Sequence, residues 1–73
     1  HCVASYGMKC LTGESAIVRL LKNETPALTI EVQPISRLVI QIRGKHNRRP
    51  EQHEMEVIKE WVKTKGLNGI SEQ

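Results

Sequence analysis

Five fixed cations, Arg37, Arg43, Lys45, Arg48 and Arg49, fall within thirteen residues that hold no acid, with His46 among them. Clustered guanidinium and ammonium groups neutralise phosphates or sulfates through charge-assisted hydrogen bonds, so this spacing suits a polymer of anions. The expected polyanion-binding set is its densest part, Arg43, Lys45, His46, Arg48 and Arg49. A solvated polar loop is the plain alternative.

Other chemistry is poorly supplied. His1, His46 and His53 are too scattered for metal ligation on one element, and the chain has no Asp to complete a shell. Gly13-Glu14-Ser15-Ala16 looks superficially like a nucleophile elbow but lacks its second glycine, and Ser15 reads as a strand-entry residue. Glu56 and Glu60 have Lys59 and Lys63 three residues on, which reads as surface ion pairing. No enzyme activity, cofactor or metal is expected.

Cys2 and Cys10 are the two cysteines, spaced unlike a CxxC redox or zinc pair but suited to a small disulfide loop. Such a bridge contributes about 2 to 3 kcal/mol in the chain-entropy treatment; two buried free thiols are the alternative. A start at His1 suits leader removal or trimming, and Asn23-Glu24-Thr25 is a glycosylation acceptor followed by Pro26. Together these favour a secreted protein. No stretch approaches the roughly 18 apolar residues of a membrane span.

The elements that must position these groups follow from size and periodicity. A chain of 73 residues is expected to form a single small domain, in which one core is marginal. With one Trp, one Tyr and no Phe, that core must be aliphatic, and the net charge of +3 leans toward anionic partners. Leu28, Ile30 and Val32 alternate with polar residues, and Leu38, Ile40 and Ile42 do so after Pro34-Ile35-Ser36, with only Val39 breaking the polar side. This period of two predicts an antiparallel pair with one apolar face. Ala16 to Leu21 is apolar on both sides except for Arg19, and its length and Ile-Val content favour a third strand.

Met55, Ile58 and Val62, with Val57 and Trp61, recur at three- and four-residue steps and predict a helix over Glu51 to Lys65. Pro50 suits its first turn, acids crowd its start, lysines its end, and Gly66 can supply a left-handed stop. Trp61 reads as a core anchor, with a binding hot spot as the alternative. The expected fold is α+β, a three-stranded antiparallel sheet followed by one C-terminal helix packed across it. The expected layout is a cysteine-containing N-terminal loop over 1–14, the strands and basic loop over 15–49, the helix over 50–66 and a tail over 67–73 that frays from Gly69.

This order of elements resembles a chemokine. Met8-Lys9-Cys10-Leu11 is similar to the Cys-x-Cys-Leu entry of that family with its first cysteine replaced, and Val57 to Lys65 resembles the terminal helix. The family's partner cysteines, in the loop after the first strand and in the third strand, have no counterpart here. The resemblance implies a protein receptor engaged by the N-terminal segment, with Val3, Ala4, Ser5 and Tyr6 in contact, and a glycosaminoglycan docked on the basic loop. The expected function is thus a small secreted non-enzymatic binding protein acting on a partner protein and a heparin-like polysaccharide. A nucleic-acid-binding module of sheet-plus-helix type is one alternative, and a secreted effector or inhibitor that captures a protein at a sheet edge is another.

Overall fold

A computed structural model describes residues 6–10 and 17–71. Four antiparallel strands run in chain order, β1 (Tyr6–Cys10), β2 (Ile17–Lys22), β3 (Thr25–Gln33) and β4 (Leu38–Gly44). A one-turn 3-10 segment (Lys45–Asn47) leads to helix α1 (Gln52–Lys65), and β5 (Gly69–Ile70) returns to pair in parallel with β4. The sheet is therefore mixed and has five strands rather than the three expected from periodicity.

Each connection has a local cause. Asn23 and Glu24 both take positive φ, 54° and 66°, which is the turn that matches the right-handed twist of paired strands. Thr25 and Pro26 then already belong to β3, and Pro26 is tolerated because the register slips there, leaving Ala27 between the pairs Leu20–Leu28 and Leu21–Pro26. Between β3 and β4 the Arg37 N–H donates to Gln33 O at 2.7 Å, while Gln33 Oε1 accepts from Ile35 N at 2.7 Å.

A second bulge corrects the reading of β4. Glu31 pairs with Gln41 and Val32 with Val39, so Ile40 is the extra residue and the inward side changes across it. Val39 and Ile42 are fully buried, whereas Leu38 and Ile40 are only partly covered. Val39, which broke the expected alternation, is the core residue.

The helix is capped by a reciprocal pair. Glu54 Oε1 accepts from the Glu51 N–H at 2.8 Å, and the Glu51 side chain accepts from the Glu54 backbone. Pro50 precedes this cap rather than opening the first turn. Gly66 stops the helix at φ 71°, as expected, with the Leu67 N–H donating to Val62 O at 3.0 Å.

Two segments expected to lie outside the sheet belong to it. Tyr6–Cys10 pairs with β2 along its whole length, so residues 6–10 are strand rather than loop. The tail does not fray before the sheet is complete: Asn68 N donates to Arg37 O at 2.7 Å and Ser71 N to Val39 O at 2.6 Å. A parallel pair needs a long crossover, and α1 is that crossover.

The core is aliphatic, as composition requires: Val18, Leu20, Leu28, Ile30, Val32, Val39 and Ile42 from the sheet meet Ile58 and Val62 of α1. Tyr6, Met8 and Trp61 pack partly buried against it, so Trp61 serves the core from its margin. Tyr6 on β1 approaches His53 on α1 with ring centroids 6.3 Å apart, and β5 packs on α1 from the other edge. The sheet curls around the helix from both edges, and its outer face is convex.

Candidate anion-binding surface

The basic loop is a tightly bonded turn. Gly44 N donates to Arg48 O at 2.8 Å and Arg48 N to Lys45 O at 3.2 Å, while His46 and Asn47 take φ values of 58° and 63°. Arg48 crosses this ring toward the helix start. Its guanidinium donates to both Glu54 oxygens, at 3.0 and 2.9 Å, and to Arg49 O at 3.1 Å. A Cβ on Gly44 would stand 2.8 Å from Arg48 Cγ, so the bare glycine is what lets Arg48 lie there.

Glu54 is the one buried charged residue of the described core, at 4% exposure. The Arg48 hydrogen bonds hold its carboxyl below the ordinary range, outweighing burial, which acts upward; the Glu51 N–H lowers it further. The same bonds raise Arg48 above its usual value. Arg48 is thus occupied in fastening the loop to α1. Arg37 is occupied too: its Nη2 donates to Gly66 O at 3.1 Å and to Lys65 O at 3.4 Å, at the negative end of the helix.

The remaining cations regroup through strand register. Lys9 stands opposite Arg19, Arg19 opposite Thr29, and Thr29 opposite Arg43, one row across β1 to β4. Their strand neighbours Val18, Leu20, Leu28, Ile30 and Ile42 point into the core, so the row lies on the convex outer face. Like charges directly opposite are unfavourable, and Lys9 against Arg19 is such a pair. Arg43 Nη1 donates to Ile42 O at 2.8 Å, which pins one edge of its guanidinium to the sheet.

An open recess between Arg19 and Arg43 is floored by Pro26, Ala27 and Thr29 and closed at one end by Gly44 and Lys45. The adjoining row, Ile17–Glu31–Gln41, brings one acid to the same face. Of the expected set, Arg43 and Lys45 therefore line this surface, His46 and Arg49 are exposed on the loop and the segment after it, and Arg48 faces Glu54. Lys9 and Arg19 were missed. Arg19 had a signal, as the lone charge in an otherwise apolar strand.

Among the described residues no three His, Cys or Glu side chains gather as a metal site, and no helix is long and apolar enough to cross a membrane. Cys10 is exposed at the end of β1, whereas Cys2 lies outside the described residues, as do Ser15 and the segment Val3, Ala4, Ser5. Asn23 is exposed in the β2–β3 turn.

Comparison with known families turns on residues 1–58, which match the PcfJ family, described as PcfJ-like protein. The chain belongs to the PcfJ-like family. That match overturns the chemokine resemblance, which no family match supports, and the five-stranded sheet departs from the chemokine-like layout as well. The receptor-contact role of Val3 to Tyr6 falls with it: Tyr6 instead faces the helix, with Lys22 Nζ 5.8 Å from its ring centroid. Neither a curated protein nor a solved structure matches this PcfJ-like chain. The matched stretch contains the whole row from Lys9 to Arg43 and the Arg48–Glu54 fastening.

Proposed function

We propose that this PcfJ-like chain is a non-enzymatic binding module that holds an anionic polymer across the outer face of its sheet. The observation that supports this is the row Lys9, Arg19, Thr29, Arg43, in which the fold tolerates a like-charged cross-strand pair on an open face. Lys45 adds a further cation to the lining of the recess beside Arg43. Compared with the loop reading, the site moves from the strand-to-helix segment onto the sheet, because Arg48 and Arg37 are held by Glu54 and by the helix end.

The test compares two variants that lose equal charge. Lys9→Gln/Arg19→Gln/Arg43→Gln is expected to elute from heparin and phosphocellulose at clearly lower salt than Lys59→Gln/Lys63→Gln/Lys65→Gln, the helix control. Equal elution of the two would reduce the affinity to net charge and sink the proposed site.

A protein partner is the second reading, favoured by a cleft beside the helix. Tyr6, Val57 and Trp61 line it with Glu56 and Glu60 at the rim, a surface suited to an apolar segment that carries basic residues.

A further inference from the structure

We infer that the polymer taken by the outer face is single-stranded nucleic acid, laid across the strands so that phosphates meet Lys9 and Arg19 while a base stacks on Arg43. This rests on the anionic-polymer reading above and narrows it.

Shape decides against a double helix. The row from Lys9 to Arg43 crosses three strand spacings, about 14 Å of sheet. A major groove about 12 Å wide admits a helix or a two-stranded ribbon, so four strands side by side do not enter it. The face also bows outward, since Tyr6 at one edge and β5 at the other both close on α1. A straight duplex touches such a surface over a short arc, whereas a flexible single strand follows the curve.

Side-chain chemistry separates a nucleic acid from a sulfated polysaccharide. No aromatic is found on the outer face among the described residues, because Tyr6 and Trp61 both pack against the core. Stacking can also use the planar guanidinium of Arg. Arg43, bonded at one edge to its own strand, is held for that purpose, and Pro26, Ala27 and Thr29 offer a small, partly apolar floor beside it. A polysaccharide uses the same charges but has no π face to lay on that plane.

Fluorescence anisotropy on the intact chain tests this with three probes: a labelled single-stranded oligothymidylate of about 15 nucleotides, its duplex form and heparin as competitor. The single strand is expected to bind at least about tenfold tighter than the duplex. Its log K should fall with log salt at a slope of about −1.4, roughly 0.7 for each of the two cations that meet phosphate, Lys9 and Arg19. Arg43→Lys is expected to keep that slope yet weaken binding by about tenfold, the loss of one stacked base. Arg19→Gln should instead reduce the slope by about 0.7. Arg19→Lys, with circular dichroism melting of every variant, is the second variant in case Arg43→Lys unfolds: with Arg43 intact to stack on the base, it should keep both slope and affinity.

Equal affinity for single strand and duplex overturns the inference. So does an Arg43→Lys protein that binds as the parent does. Heparin binding that depends on the row, without oligonucleotide binding, overturns it while leaving the anionic-polymer reading standing. Binding of none of the three overturns both.

Discussion

Arg48 and Glu54 join three features that are separate in sequence: the turn after β4, the bare backbone at Gly44 and the start of α1. Glu54 serves two partners at once, since the oxygen that accepts from Arg48 also accepts from the Glu51 N–H. Its carboxyl is lowered in the folded chain, so its contribution to stability is present above the unfolded value and is lost as pH falls through the lower folded one. The melting temperature of the parent should therefore decline below about pH 4.5, and Glu54→Gln should flatten that part of the curve. At neutral pH Glu54→Ala is expected to cost at least about 1 kcal/mol for the cap alone, read from urea unfolding. Gly44→Ala places a Cβ against Arg48 and Ala27 O, with an expected loss of about 1 to 3 kcal/mol from overpacking. A parent-like urea midpoint for that variant would mean Arg48 has another resting place. Cys10 carries a different expectation at this scale. If the secreted reading holds, intact mass should rise on reduction as a Cys2–Cys10 bridge takes up hydrogen, and an unchanged mass counts against it.

At the scale of elements, the β4 bulge and β5 carry the sharpest consequences. Val39 is buried and Ile40 is not, although the alternation around Leu38 and Ile42 places Ile40 inward. Val39→Ala is expected to cost about 2 kcal/mol, and Ile40→Ala well under half as much. The reverse order in a denaturant titration would restore the unbulged strand. β5 is short, yet Gly69 and Ile70 pair with Leu38 and Val39, and Ser71 N reaches Val39 O. Ending the chain after Asn68 removes Ile70 from the core margin and should lower stability by about 1 to 2 kcal/mol, as a shifted thermal midpoint. An unshifted midpoint would make β5 an ornament of the sheet.

For the whole molecule, charge is distributed by the fold rather than by position along the chain. The apparent basic cluster from Arg37 to Arg49 disperses: Arg37 goes to the end of α1, Arg48 to its start, and Arg43 to the outer face beside Arg19 and Lys9. A site built this way should weaken smoothly with salt and be insensitive to His46→Ala, because His46 sits on the loop and lines none of the recess. Equal sensitivity of His46→Ala and Arg43→Gln in the oligonucleotide titration would return the site to the loop.

Local physics made three strands, the helix, the left-handed stop at Gly66 and an aliphatic core legible in the sequence, because alternation, helical spacing, capping chemistry and composition act over a few neighbouring residues. The residues Arg43 and Lys45 were legible for the same reason, as a dense run of like charge. The tertiary structure alone decided that Tyr6–Cys10 and Gly69–Ile70 are strands, since short segments gain pairing energy only from a sheet already present. It also decided that Lys9, Arg19 and Arg43 share a row and that Arg48 is given to Glu54. Register and burial set those neighbours, and both depend on residues far apart in the chain.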